Sequence, residues 1–148
     1  VPTPTPKPIS EIVKEANYKL ENDSISGIKP NTSVESIKNK IIEKGGIVTI
    51  TDKVGNKKDN GNIGTGDKIN ITSGNTLNLT VLIYGDTNGD GKISAVDYVN
   101  IKNHIMGSGS LVDVYNKVAD VNSDGKISAV DYVNIKNYIM GVDNVIKN

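Results

Sequence analysis

Residues 85–107 read GDTNGDGKISAVDYVNIKNHIMG, and residues 119–141 read ADVNSDGKISAVDYVNIKNYIMG. The two segments start 34 residues apart and differ at only four positions. A repeat this close decides the architecture of its part of the chain, because each copy folds as the same local unit. Each copy opens with Asp, Asn and Gly and continues as a helical segment that stops at Gly107 or Gly141. We therefore predict two loop–helix units, with helices over about 95–106 and 129–140.

Both loops have the spacing with which EF-hand proteins bind calcium. Ca²⁺ takes about six to eight oxygen ligands, which a twelve-residue loop supplies from positions 1, 3, 5, 7, 9 and 12, with glycine at position 6. Position 7 contributes its backbone carbonyl, so a lysine is acceptable there. The predicted ligands are Asp86, Asn88, Asp90, Lys92, Ser94 and Asp97 in the first loop, and Asp120, Asn122, Asp124, Lys126, Ser128 and Asp131 in the second. The expected cofactor is two Ca²⁺ ions.

The loops depart from the common EF-hand pattern in two ways. Position 12 is Asp instead of Glu, which requires the following helix to approach the ion more closely. The segment before the first loop, Leu77 to Tyr84, reads as a strand and not as an entering helix. A single loop of this composition also fits an ordinary Asp/Asn-rich surface turn, but two matching copies favour calcium. Ile93 and Ile127, at position 8, predict a short strand contact between the loops.

Each predicted helix has two faces. At about 100° per residue, Tyr98, Ile101 and Ile105 fall on one face, which we expect to be core. The other side carries a second, partly apolar stripe that we predict to contact a partner. The alternative is that its valines pack against the neighbouring helix. The predicted contact residues are Ala95, Val96, Val99, Lys102 and Asn103, and in the second copy Ala129, Val130, Val133, Lys136 and Asn137.

The rest of the chain divides into a linker and a small domain. Residues 1–8, VPTPTPKP, predict an extended spacer, and we expect the chain to be part of a longer protein. Residues 9–84 predict a small α+β fold, one helix on a sheet of four or five short strands. The helix follows an N-cap near Ser33, and strands are expected at 24–28, 47–51, 68–72 and 77–83. Ile9 to Leu20 fits a helix or a strand, 52–58 predicts a hairpin turn, and 110–118 predicts a short connecting helix.

Composition excludes several classes of function. The 17 basic residues balance the 17 acidic ones, which argues against a nucleic-acid binder. The chain has no Cys and a single His, His104, which leaves no thiolate site and no multi-histidine metal centre. We read His104 as a surface helix residue. No nucleophile–base pair can be nominated, so we expect no catalytic activity. No apolar run is long enough to span a membrane.

The repeated block DTNGDGKISAVDYVNIKNHIMG resembles the dockerin family, and the resemblance covers residues 85–148 with both copies. It implies an all-α dockerin whose repeats, 85–107 and 119–141, are joined by a linker helix. It also implies calcium-dependent binding to a cohesin module. Family recognition positions at loop positions 10 and 11 and further along the helix fall on the contact residues named above. Because Ala-Val replaces the frequent Ser-Thr pair, we expect a more apolar contact.

The resemblance carries further expectations for the whole chain. Residues 9–84 resemble the X modules that precede and stabilise dockerins. The implied setting is a secreted or cell-surface bacterial complex such as a cellulosome, in polysaccharide degradation, with an enzyme or a scaffoldin as the parent protein. The near-identical helices suggest a dual binding mode. The alternative is a calcium-binding structural or sensor module, with 9–84 as a carbohydrate-binding domain.

Overall fold

The computed structural model describes residues 4–142, 146 and 148. Within the predicted linker 1–8, residues 1–3 lie outside this range, and residues 4–8 have no regular secondary structure. In chain order the elements are α1 (Ile9–Glu15), β1 (Lys19–Glu21), β2 (Ser24–Ser26), α2 (Val34–Glu43), β3 (Ile47–Thr51), β4 (Lys68–Ser73), β5 (Asn75–Val81), α3 (Ala95–Met106), α4 (Asp113–Ala119) and α5 (Ala129–Ile139).

The N-terminal region, residues 9–84, is an α+β unit around one sheet. The strand order is β1-β2-β5-β4-β3, with β2 parallel to β5 and every other pair antiparallel. Alternate residues of β4 and β5, among them Ile69, Ile71 and Leu79, are buried. They join the buried residues of α1 and α2 in a single core cluster. This confirms the predicted α+β class.

Two helices cover this sheet, where the sequence predicted one. The predicted helix is α2, whose N-cap Ser33 accepts a hydrogen bond from the Ser36 N–H at 3.1 Å. The additional helix is α1, which lies in the segment that fitted either type of element. That segment contains a helix and then a strand, because Asn17, with φ of 66°, reverses the chain between α1 and β1.

The predicted turn at 52–58 is present, but it does not join two long strands. Asp52 Oδ1 accepts hydrogen bonds from the Val54 and Asn56 N–H groups at 3.0 and 2.9 Å. Next to the turn, the two sides of the chain are joined by a single antiparallel bridge, between Thr51 and Lys57. The strand that pairs with β3 is β4, so a loop separates the turn from it. Part of that loop, residues 62–67, we call the support loop, because it lies against the first repeat.

The C-terminal region, residues 85–148, is helical and has its own core. Ile101 and Ile135, equivalent residues of α3 and α5, are buried in this second cluster with Ala119 and Val121. The connecting helix is α4, which runs directly into the second loop. The first loop instead follows β5, as predicted. Residues 143–145 and 147 of this region lie outside the described residues.

Candidate functional site: two acidic loops and a repeated helix face

The first loop brings three carboxylates to one point. Asp86, Asp90 and Asp97 each offer an oxygen, and these oxygens lie within 4.8 Å of one another. That span is about twice the calcium–oxygen distance, so one ion can reach all three. Asp120, Asp124 and Asp131 form the same arrangement in the second loop. The oxygen-only donor sets suit a hard cation such as Ca²⁺ and offer nothing to a soft metal.

Backbone N–H groups hold the position-1 carboxylate of the first loop. Asp86 Oδ1 accepts from Gly89 and Asp90 at 3.0 and 3.1 Å, and Oδ2 accepts from Gly91 at 3.0 Å. Asp86 is fully buried, and this desolvation raises its pKa to about 6 in spite of the hydrogen bonds. Burial likewise raises the pKa of Asp97. A divalent cation would favour the ionised form of both groups.

The second loop has the same internal bonds in a more exposed setting. Asp120 Oδ1 accepts from Asp124 at 3.1 Å, and Oδ2 accepts from Gly125 at 2.8 Å. Burial raises the pKa of Asp131, whereas the Lys126 N–H bond is the main cause of a lowered pKa at Asp124. The two loops therefore share a ligand geometry but differ in their contact with solvent.

The last ligand positions also start the helices. Ser94 accepts a bond from the Val96 N–H, and Asp97 Oδ2 accepts from the Ser94 N–H at 2.9 Å, which forms a capping box. Ser128 and Asp131 repeat this at α5. An Asp at position 12 thus fixes the helix start and closes the loop with one side chain. The predicted strand contact between Ile93 and Ile127 is not among the bridges of the described residues; both side chains pack instead against the second core.

The remaining predicted ligands are the asparagines, lysines and serines of the same two loops. Asn88 and Asn122 are half-buried, and each donates from Nδ2 to the next acidic residue, Asp90 or Asp124, at 3.2 Å. The side chains of Lys92 and Lys126 are exposed, in keeping with a role for their carbonyls alone. Every predicted ligand residue is therefore part of one of the two loops.

The predicted contact stripe is exposed on both helices. Val96 and Val130 are 52% and 51% exposed, and Val99 and Val133 are 44% and 45% exposed. None of these four valines is therefore buried against the neighbouring helix. Ala95, Lys102, Ala129 and Lys136 are also exposed, while Asn103 and Asn137 are half-buried.

The two helices meet at equivalent residues. Tyr98 and Tyr132 stack with ring centroids 4.4 Å apart, and their hydroxyl groups are hydrogen-bonded to each other. Because the partners are the same position of the repeat, their contact marks a pseudo-twofold relation between the units.

One part of the exposed face was missed by the sequence analysis. Ile105, predicted as core, is 42% exposed, because Ile101 and Tyr98 already fill the contact with α5. With Met106 it lines a cavity of about 240 Å³, together with Lys102, Ala129 and Tyr132. The repetition of an Ile-Met pair before each helix-ending glycine was the available signal.

His104 has a structural role. Its Nδ1 accepts a hydrogen bond from the Leu111 N–H at 3.0 Å, which ties the end of α3 to the connection that follows. It lies far along the helix from the acidic loop, half-buried, as a surface helix residue was expected to be.

Within the described residues, no helix has the length and apolar character needed to cross a bilayer.

No curated protein matches the chain. A solved structure that matches the chain is a complex from Acetivibrio cellulolyticus. It contains the third cohesin of ScaC and the ScaB dockerin, which carries a mutation in the N-terminal helix, and it is described as displaying a type I interaction. The identity is 28%, over 45% of this chain and 93% of the matched one, with a TM-score of 0.41.

The family comparison falls on the repeats. Residues 84–140 match the family model of the dockerin type I domain. The match includes both acidic loops and all of α3, α4 and α5. Residues 84–140 of this chain are a dockerin module.

Proposed function

We propose that the chain is a calcium-dependent docking module that binds a cohesin module of another protein. The observation that carries this proposal is the exposed apolar stripe, repeated on α3 and α5 of a dockerin module and placed directly after each acidic loop. Dockerins are non-catalytic, so the chain would contribute attachment and not chemistry. It would assemble a secreted or cell-surface complex of the cellulosome kind.

Each loop is proposed to bind one Ca²⁺ with the six ligand positions predicted from the sequence. Without a cation, three carboxylates within 4.8 Å of one another repel, so calcium should supply part of the folding energy of this region. Calcium would in this way control the orientation of the two helices and of the stripe that they expose.

Calorimetric titration of the full chain against a panel of cohesin modules tests the proposal. We expect tight binding to at least one cohesin in calcium, and loss of that binding in excess chelator. Calcium binding without binding to any cohesin would contradict the docking function and leave the metal sites intact. Binding that persists in chelator would contradict the calcium dependence.

We further propose that either helix can face the partner. The pseudo-twofold relation presents Val96 and Val130 at nearly equal exposure, so a rotated module would offer the same surface. Val96→Asp or Val130→Asp alone should then cost little affinity, whereas the double variant should lose binding. If one single variant abolishes binding while its counterpart is silent, the module has one binding mode.

The N-terminal region is proposed to stabilise the dockerin as an X module does. Support comes from hydrogen bonds between the two regions, which include Asn31 N–H to Gly91 O at 2.8 Å. The carbohydrate-binding alternative lacks an aromatic platform in the structure. Tyr18 and Tyr84 are the only aromatic residues of 9–84, and they are buried and half-buried.

A further inference from the structure

The two acidic loops differ in what surrounds them, although their sequences are nearly the same. The first loop packs against the support loop, residues 62–67, of the N-terminal region. The Thr65 N–H donates to Asp86 Oδ2 at 2.9 Å, so a residue outside the dockerin holds the position-1 carboxylate. The Asn31 N–H, also of the N-terminal region, donates to Gly91 O at 2.8 Å.

The contact is close enough to require glycine on both sides. A Cβ at Gly64 would lie 2.0 Å from Gly89 O. A Cβ at Gly89 would lie 2.7 Å from Thr65 O, and one at Gly91 would lie 2.3 Å from Ile63 O. Backbone therefore packs on backbone at each of these three glycines.

Within residues 4–142, 146 and 148, no comparable backbone contact is seen at the second loop. Gly125, equivalent to Gly91, is exposed, and a Cβ there would meet nothing within 4 Å. Ser123 replaces Gly89 in the same left-handed conformation, with φ of 57° against 78°. Among the described residues, the backbone donors to Asp120 come from its own loop. Asp120 is half-buried where Asp86 is fully buried.

The support loop is itself held firmly. Buried Asp67 Oδ2 accepts from the Gly64 N–H at 2.8 Å and from Lys58 Nζ at 2.6 Å. The Thr65 hydroxyl lies 3.2 Å from both the N and the O of Ile83, so both the side chain and the N–H of this residue are fixed. A donor fixed in this way can hold Asp86 in place before an ion arrives.

We propose that the support loop is an outer shell for the first calcium site, so that the two sites of one chain are inequivalent. The first site binds calcium more tightly, because less of its loop has to be ordered on binding and because the buried setting strengthens the attraction of ligands to the ion. By linkage, calcium in the first loop also strengthens the contact between the two regions. This inference rests on the calcium sites proposed above.

The test isolates each site in the full chain at neutral pH. Asp124→Ala removes a ligand of the second loop and leaves the first site, and Asp90→Ala does the reverse. Calcium calorimetry on the two variants should give the tighter site in Asp124→Ala. Equal affinities, or a tighter second site, would overturn the proposal. If neither variant binds calcium, the assigned ligands and this inference fail together, without reference to any cohesin.

Two further substitutions disturb the contact from opposite sides. Gly64→Ala places a methyl group against Gly89 O without forcing an unusual backbone at residue 64, and Gly89→Ser introduces the residue of the second loop. In the Asp124→Ala background each should weaken calcium binding by about tenfold or more, the usual effect of removing an outer-shell partner.

The matched controls use the second site. In the Asp90→Ala background, Gly64→Ala should leave calcium affinity unchanged, which also shows that the variant folds. Ser123→Gly, the reverse exchange, should likewise leave the second site unchanged, since no described residue packs on Gly125 as Ile63 packs on Gly91. Weakening of both sites by Gly64→Ala, or of neither, would show that the support loop does not act on the first site in particular.

Discussion

Thr87 and Val121 occupy position 2 of the two loops, and the difference between them follows from their surroundings. The Thr87 hydroxyl donates to Asp97 Oδ1 at 3.2 Å and accepts from Asn100 Nδ2 at 3.2 Å. Val121 instead is fully buried in the apolar cluster of the C-terminal region. The first position satisfies a hydroxyl, whereas the side chain at the second lies in an apolar cluster.

Exchanging these residues should therefore have unequal effects. Thr87→Val should cost about 0.5–1.5 kcal/mol, because Asp97 Oδ1 keeps the Thr87 N–H as a donor. Val121→Thr should cost more, about 1–3 kcal/mol, because it places a hydroxyl among the apolar side chains of the second core. Urea unfolding in saturating calcium measures both values. A larger loss for Thr87→Val would mean that the hydroxyl bonds, and not the apolar packing, govern this position.

At the residue scale, the sequence predicted what is local. Every ligand candidate in a loop follows from spacing within twelve residues, and the structure brings the three acidic residues of each loop together. Thr65 could not be predicted, because it reaches Asp86 across 21 residues of chain and contributes a backbone N–H. The only sequence signal was Gly89 in the first loop where the second has Ser123.

At the scale of elements, α3 and α5 form the centre of the dockerin module, with Ile101 and Ile135 buried in its core and one aromatic pair stacked between the helices. Their predicted starts at Ala95 and Ala129 were right because the capping residues are adjacent in sequence. α3 ends at Met106 as predicted, before Gly107 with φ of 76°. The faces were harder to predict, since helical spacing placed Ile105 with Ile101. Which of the two is buried depends on where the other helix crosses.

The Tyr98–Tyr132 stack predicts a paired mutational effect. Tyr98→Ala and Tyr132→Ala should destabilise the C-terminal region to a similar extent, because each removes one half of the same contact. The aromatic pair contributes about 0.5–1.5 kcal/mol beyond its buried area. Tyr98→Phe and Tyr132→Phe keep the stack and should lose only the bond between the hydroxyls. Thermal unfolding in calcium checks this; strongly unequal alanine variants would argue against the pseudo-twofold contact.

At the scale of the molecule, two separate core clusters are joined by the contact between the support loop and the first acidic loop. The sequence predicted both regions, because strand alternation and the repeat are patterns within each of them. It did not show how they join, since much of the junction consists of backbone groups and of glycines that leave room for them, with the Tyr115 ring beside them. The N-terminal core cluster contains none of the proposed calcium ligands.

This arrangement predicts a selective response to calcium removal, which hydrogen exchange of the full chain can measure. Chelator should reduce amide protection in both acidic loops, in α3 and α5, and in the support loop. Amides in β4, which lie in the N-terminal core, should keep their protection because that core contains no proposed ligand.

The Gly64→Ala variant separates two explanations for a change in the support loop. If calcium acts through the contact with the first acidic loop, this variant should show low support-loop protection with and without calcium. Its α5 amides should still respond to the ion, because the second site is independent of the contact. A calcium response of the support loop that survives Gly64→Ala would mean that the ion acts by another route, and uniform loss of protection in chelator would mean that the chain unfolds as a single unit.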